Sequence, residues 1–312
     1  MANKSVLVTG GAGFIGSHLC EKLLSEGNRV ICLDNFITGK KENIKEFEAN
    51  KKFSLFEADI TQPIKIKQKI YQIYNLASPA SPVDYQKRPL ETLYAGSIGV
   101  KNVLEFAKKN SAVFLQASTS EVYGDPLEHP QKETYYGNVN PVGPRACYDE
   151  SKRFAEALIT SYAAKTTLQV RIARIFNTFG PKMRHDDGRV IPNFIVQALK
   201  NEPLTIYGDG KQTRSFCYID DMVEGLEKLM QSQIFAPVNL GNKEEYSMLE
   251  IAKKIIFETN SKSKLEFSSL PFDDPRQRNP DISIAKGKLG WQPNTSLQSG
   301  LKSTISYFKS EI

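Results

Sequence analysis

Short apolar runs alternate with amphipathic stretches through the first half of the chain. SVLVTG from Ser5, RVICLD from Arg29, KFSLFEAD from Lys52, QIYNLAS from Gln72 and AVFLQAS from Ala112 have the length and the β-branched and aromatic content of buried strands. Between several of them the apolar positions take helical spacing, as in Ser17–Ser25 and Leu90–Lys109. A further strand, Leu168–Ile175, follows a helix that starts near Tyr148. This alternation predicts an α/β fold built on a doubly wound parallel sheet.

The texture changes after Asn177. Elements become shorter, and loops carry Pro181, Pro192, Pro203, Gly208 and Gly210. Ser247…Glu250 and Thr295…Gln298 both fit a capping box and predict two helix starts. Residues 1–178 are expected to form the sheet domain, with 215–242 returning to it. Residues 179–214 and 243–312 are expected to form a smaller α/β substrate-binding lobe. Neither an internal repeat nor a low-complexity linker separates the two, so they are expected to interleave.

Composition narrows the class. With 40% hydrophobic and 24% charged residues over 312 positions, the chain is neither disordered nor fibrous. The net charge of +6 suits a nucleic-acid binder or a pocket for an acidic nucleotide equally, so charge alone decides nothing. No basic stripe interleaved with aromatics supports nucleic-acid binding. Cys20, Cys32, Cys147 and Cys217 lack ligand spacing, as do His18, His129 and His185, so no metal site is expected. His18 is placed on the first helix near the glycine turn, His129 and His185 in loops, and Asp186-Asp187 in a solvated turn before Gly188. No apolar stretch approaches the roughly 20 residues of a membrane span, and Met1–Lys4 runs directly into the first strand without a signal core. A cytoplasmic protein is expected.

Gly10-Gly11-Ala12-Gly13-Phe14-Ile15-Gly16 follows the first strand and opens a helix. Glycine suits a backbone that must turn tightly and approach a pyrophosphate, while the helix amino end offers free N–H groups. Asp34 ends the next strand, 18 residues past Gly16. A carboxylate there binds the ribose hydroxyls and repels a 2′-phosphate, which favours NAD over NADP.

Tyr148 and Lys152 stand four residues apart, on one helical face. A phenol titrates near pH 10, and a neighbouring ammonium favours its phenolate, which makes a usable general base. The fifth strand ends in Ser118-Thr119-Ser120-Glu121, at the carboxyl edge of the sheet where such folds bind ligands. Hydroxyls and a carboxylate there can hold a sugar hydroxyl and relay a proton.

LDNFITGKKENI, YNLASPASP, STSEVYGDPLEHPQ, NPVGPRACYDESKR, ARIFNTFGP, DGRVIPNF, LTIYGDGKQTRSF and DDPRQRNPDI together resemble the extended short-chain dehydrogenase/reductase family over nearly the whole chain. STSEVYGDP, GPRACYDE and the Arg278–Asp281 string resemble its UDP-glucuronate decarboxylases. The resemblance implies a Rossmann-type fold and conversion of UDP-glucuronic acid to UDP-xylose and carbon dioxide. That conversion proceeds by oxidation at carbon 4, decarboxylation and re-reduction with retained NAD. It further implies that Thr119 and Tyr148 hold the 4-hydroxyl, that Lys152 supports Tyr148 and the nicotinamide ribose, and that Ser120, Glu121 and Arg278 serve decarboxylation. Glu121 is left as either the acid or a group orienting water. Gly10, Gly13, Phe14, Ile15 and Gly16 would cradle the pyrophosphate. Asp34, Asn35, Phe36, Thr38 and Gly39 would line the adenosine site, Asp59 and Ile60 the adenine, and Leu76, Ala77 and Ser78 the middle of the cofactor. Asn177, Arg189, Asn193, Tyr207, Gln212 and Arg214 would grip the UDP moiety, with Arg189 and Arg214 otherwise read as partners of surface acids. A homodimer through the helices around Leu90–Lys109 and Tyr148–Lys165 is implied as well.

The chain departs from the family pattern at three places. Relatives usually carry Asn at Gly96, often Lys at Tyr94, and Gly at Ser151, which is harmless if Ser151 faces away. Two other readings stand beside the decarboxylase. A 4,6-dehydratase resembles Thr-Asp-Glu where this chain has Thr119-Ser120-Glu121, and a 4-epimerase usually lacks the Arg278 string. A non-catalytic NAD-binding or RNA-associated protein would not need Tyr148, Lys152 and Glu121 together.

Overall fold

The computed structural model describes residues 4–270 and 277–312. Residues 273–276 of the DDPRQRNPDI string lie outside the described residues.

Strands and helices alternate in the order β1 (Ser5–Thr9), α1 (Phe14–Ser25), β2 (Arg29–Asp34), β3 (Phe53–Glu57), β4 (Gln72–Asn75), α2 (Pro82–Lys87), α3 (Pro89–Tyr94), α4 (Val100–Asn110), β5 (Val113–Thr119), α5 (Ala146–Lys165) and β6 (Val170–Ile175). Then come β7 (Thr178–Phe179), α6 (Val190–Leu199), β8 (Leu204–Tyr207), β9 (Thr213–Ser215), β10 (Cys217–Tyr218), α7 (Ile219–Gln231) and β11 (Pro237–Leu240). The chain closes with β12 (Glu245–Ser247), α8 (Met248–Thr259), β13 (Leu265–Ser268), β14 (Gln277–Arg278), α9 (Ser283–Leu289) and α10 (Leu297–Glu311).

Seven strands form one parallel sheet in the order β11-β6-β5-β4-β1-β2-β3. Its centre is covered on both faces, which is why β1 and β2 read as nearly continuous apolar runs, whereas edge strand β3 is largely exposed. Alternation along β1 sends Val6 and Val8 into one core with α1, α6, α7 and α8, and Leu7 into the other with α4 and α5. Strand order reverses between β1 and β4, and a crevice opens at their carboxyl ends, where ligands of doubly wound sheets sit. The later elements form small pairings around this mouth: β9 lies between β12 and β14, and β8 pairs with β13. From the same stretch, α7 packs on α1 and β11 extends the main sheet beside β6.

Several local expectations shift. The stretch Leu90–Lys109 is not one uniform helix: α3 opens at Pro89, and a π-helical turn, Ala95–Gly99, separates it from α4. The Ser247 box forms, its hydroxyl accepting from Glu250 N–H at 3.2 Å while the Glu250 carboxylate accepts from Ser247 N–H at 2.7 Å. The second box does not. Ser296 caps α10 through Ser299 N–H, Gln298 reaches Glu258, and Thr295 N–H is taken by the buried Asp221 carboxylate. A tertiary acceptor has therefore displaced the local one by a residue. Among the described residues no helix is long and apolar enough to cross a membrane.

Candidate active site

One cavity of about 680 Å³ runs from the glycine turn after β1 to the loops around β8, β9 and β14. Its cofactor end is shaped by missing side chains. Gly10 has φ +68°, and a Cβ there would lie 2.8 Å from Ala77 N; one on Gly16 would lie 2.1 Å from Gly10 O. No side chain caps α1 and no acid occupies its first turn, so its amino end is left for an anion. Asp34 accepts Ala12 N–H at 2.9 Å and Phe36 N–H at 2.8 Å, and burial raises its pKa. Gly39 leaves the space beside it, since a Cβ would stand 2.8 Å from the Asp34 carboxylate. Burial works to raise the Asp59 pKa, but donors from Thr61 and Asn35 outweigh it and lower the pKa overall. This arrangement fits a dinucleotide. Of the expected cofactor residues, Gly13, Phe14, Ile15, Asn35, Thr38, Ile60, Leu76, Ala77 and Ser78 also line the cavity. Phe36 does not: its ring packs under the Lys41 ammonium, and only its backbone contributes, by holding Asp34.

At the centre, β5 delivers Thr119, the turn after it delivers Ser120 and Glu121, and α5 delivers Tyr148 and Lys152. Burial pushes the Tyr148 phenol up to about 12, while the Thr119 hydroxyl it bonds and the Arg189 charge pull the other way. Lys152 is buried and brought down to about 8; its ammonium donates to Ala117 O at 2.9 Å. It lies 5.5 Å from the Tyr148 ring centre. The expected lowering of the phenol by the ammonium is not found: burial carries Tyr148 the other way, and the Lys152 ammonium is anchored on the β5 backbone.

Glu121 sits between two guanidinium groups. Arg145 Nη2 donates to one carboxylate oxygen at 2.6 Å, and Arg278 Nη1 donates to the other. Burial alone would raise the Glu121 pKa, but these cations override it and hold the carboxyl at about 2. In this arrangement Glu121 is an anion bridging the two guanidinium groups. Among the described residues Arg278 Nε and the Tyr85 hydroxyl are buried without hydrogen-bond partners, and both residues line the cavity. The Tyr85 ring stacks on Tyr148 with centroids 5.0 Å apart, and burial drives its hydroxyl far above the usual phenol range.

At the far end Asn177, Arg189, Asn193, Tyr207, Gln212 and Arg214 all line the cavity. Arg214 and Arg278 are paired residues on neighbouring strands β9 and β14. Asp187 corrects one expectation. It is 6% exposed, not a solvated turn residue, and binds Arg189 through both oxygens, one contact being 2.6 Å from Nη2. Asp186 is the solvated member, paired with Arg184. Ser151 does not face away: it is buried between Tyr148 and Lys152 against Gly96. His18 on α1 bonds Pro181 O at 3.0 Å, and His129 pairs with Glu245. Among the described residues no group of three or more His, Cys, Asp or Glu could hold a metal ion.

Sequence reasoning passed over Arg145, Tyr85 and Asp187 as site residues. A signal existed for Arg145, a cation three residues before Tyr148 at the mouth of the same helix. None existed for Tyr85, which is brought to Tyr148 only by the packing of α2 on α5.

The GDP-mannose 4,6-dehydratase family profile matches residues 7–304. The chain is 52% identical over 307 residues to UDP-glucuronic acid decarboxylase 1 of Arabidopsis thaliana, covering 98% of this chain and 70% of that one. It is 50% identical over 309 residues to UDP-glucuronic acid decarboxylase 1 of Xenopus tropicalis, covering 99% and 73%. Among solved structures, UDP-glucuronic acid 4-epimerase from Bacillus cereus, in complex with UDP-glucuronic acid and NAD, superposes with a TM-score of 0.89 at 31% identity, covering 99% of this chain and all of that one. Glycine cradle, Tyr148–Lys152 helix and full-length similarity converge: the chain belongs to the GDP-mannose 4,6-dehydratase-like family of extended short-chain dehydrogenases/reductases.

Proposed function

We propose that the protein is an NAD-dependent UDP-glucuronate decarboxylase that forms UDP-xylose and carbon dioxide. The observation that carries this reading is the Glu121 carboxylate held between Arg145 and Arg278, in one cavity with Tyr148, Thr119 and a dinucleotide cradle. Identity of about half to decarboxylases over nearly the full chain supports it.

A sugar acid loses carbon dioxide readily only when a carbonyl β to the carboxylate can receive the electrons left behind. When bound, NAD supplies the reversible two-electron oxidation that creates and later erases this carbonyl at carbon 4. Tyr148 takes the proton of the 4-hydroxyl, guided by Thr119. Lys152, fixed on Ala117 O, steadies the helix face and the nicotinamide ribose. Loss of carbon dioxide moves negative charge onto the carbonyl oxygen as an enolate, and Arg278 stabilises it; such help is typically worth about 3–4 kcal/mol. Carbon 5 then takes up a proton drawn from water, which restores the carbonyl for re-reduction. Glu121 keeps the two guanidinium groups apart and aimed, and Ser120 shares in holding the departing carboxylate. Tyr85, a neutral donor with an open hydroxyl, meets the sugar without adding a charge that would hold the carboxylate in place.

Gly10, Gly13, Phe14, Ile15 and Gly16 take the pyrophosphate of the cofactor, and Asp34 the adenosine ribose, within a domain of residues 1–178 and 215–242. Residues 179–214 and 243–312 form the nucleotide-sugar lobe, where Asn193, Tyr207, Gln212, Arg214 and Arg189 grip UDP. For Arg189 this means leaving Asp187 in part for the phosphate. Leu90, Tyr94 and Ile98, spaced by four, and Phe154 are exposed apolar side chains on neighbouring helices, and we assign this face to a homodimer contact. We infer a cytoplasmic location, a reading that the four free cysteines support.

The deciding experiment incubates protein, NAD and UDP-glucuronic acid and follows the sugar by NMR. UDP-xylose with release of carbon dioxide is expected. UDP-galacturonic acid without carbon dioxide would make the protein a 4-epimerase, and unchanged substrate would make it neither.

A further inference from the structure

We propose that the contact between Gly96 and Ser151 is a positioning device, which seats helix α5, and with it Tyr148 and Lys152, against the cofactor cavity. Gly96 lies in the π-helical turn between α3 and α4. A Cβ at Gly96 would stand 2.6 Å from Ser151 Cβ and 2.9 Å from both the Ser151 carbonyl oxygen and its hydroxyl oxygen. Ser151 sits between the two catalytic side chains on α5, and its hydroxyl donates to Tyr148 O at 2.7 Å. Whatever presses on Ser151 therefore presses on the turn of helix that carries Tyr148 and Lys152.

The same π-helical turn bears on the cofactor end. A Cβ on Gly99 would stand 2.6 Å from Ile60 Cδ1, and Asn102 donates to Ile60 O at 2.9 Å. Two glycines three residues apart thus fix the turn between Ile60, on the cavity wall, and the catalytic helix. A π turn widens the helix locally, and such turns are frequent at functional sites. Residues 96 and 151 act as one feature, because the bulk absent from one helix is present on the other across a single contact. Tolerance is small here. Tyr148 must stay on Thr119 and Lys152 on Ala117 O, and misplacement of reacting groups by about 1 Å can cost on the order of 100-fold in rate.

The inference rests on the decarboxylase reading for its main readout. Gly96→Ala is expected to lower kcat at least tenfold and to move the acid limb of the kcat–pH profile, while UDP affinity by calorimetry stays within threefold. Adding Ser151→Gly, which clears the opposing side chain, is expected to bring kcat back to within threefold of Ser151→Gly alone. Ser151→Thr adds bulk from the other side and is expected to act like Gly96→Ala; it serves if Gly96→Ala does not fold. Gly96→Ala with kcat within twofold of the parent, or a double variant no better than Gly96→Ala, overturns the proposal. A parent protein that releases no carbon dioxide overturns the decarboxylase reading by itself. The contact is then judged by NAD affinity, to which Lys152 contributes: at least fivefold weakening in Gly96→Ala with recovery in the double variant supports it, and unchanged affinity overturns it.

Discussion

The charge state of Glu121 governs the chemistry available at its end of the cavity. Its pKa is held at about 2 by Arg278 and Arg145, well below the ordinary carboxylate value. The unfolded chain therefore binds a proton that the folded chain refuses between the two values. This contribution to stability is present above about pH 4.5 and is lost as pH falls toward 2. Glu121→Gln is expected to flatten that acid decline in thermal melts recorded from pH 5 to pH 3. On activity, Arg278→Ala is expected to lower kcat for carbon dioxide release by about 100-fold to 1,000-fold, the range for losing one oxyanion-stabilising donor. Tyr148→Phe is expected to abolish the first oxidation, so that no NADH absorbance appears on mixing with substrate. Near-normal turnover in Tyr148→Phe would overturn the assignment of the base. Sequence brought Tyr148, Lys152, Thr119 and Glu121 into view because helix period and strand-end position place them. It could not give the state of Glu121, because its cations come 24 and 157 residues further along the chain.

At the scale of elements, local chemistry was legible where nothing distant competed for it. The Ser247–Glu250 box forms because the distant carbonyls of Gln212 and Gly210 take the N–H groups of Met248 and Leu249 and leave those of Ser247 and Glu250 to the box, whereas Asp221 captures the backbone ahead of α10 and moves the cap to Ser296. Ser247→Ala is expected to cost about 1 kcal/mol. In a chain of this size that lowers the melting temperature by about 2–4 °C, with kcat unchanged. The central strands of the main sheet, β1 and β2 above all, were legible from their apolar runs, since they are buried on both faces. The π-helical turn was not, because apolar spacing from Leu90 onward is compatible with an unbroken helix. Nor was the close packing of Ser151 and Ile60, from elsewhere in the chain, on Gly96 and Gly99, which leaves no room for a Cβ at either.

For the whole molecule, one buried acid far from the cavity sets the opposite pH trend. Glu227 on α7 is 6% exposed and faces Glu26 and Lys22 of α1, with Glu224 on its own helix and the Tyr74 phenol beneath. Burial raises it to about 7, and Glu26 adds to the rise. The folded chain thus binds a proton more tightly than the unfolded one, so this contribution is complete below about pH 4.5 and is lost as pH rises through 7. Glu227→Gln is expected to raise the melting temperature by a few degrees at pH 8 and to leave it nearly unchanged at pH 4.5. The overall architecture was legible in sequence from the glycine turn and the strand–helix rhythm, but this α1–α7 carboxyl pair was not, since Glu26 and Glu227 meet only after the chain has wrapped the sheet. Position along the chain sets the order in which a ribosome completes the site. Arg278 arrives on the short strand β14, after the main sheet and both catalytic side chains of α5 have been synthesised. A nascent polypeptide thus carries the glycine turn, Glu121 and Tyr148 before the strand that brings Arg278 to Glu121 exists.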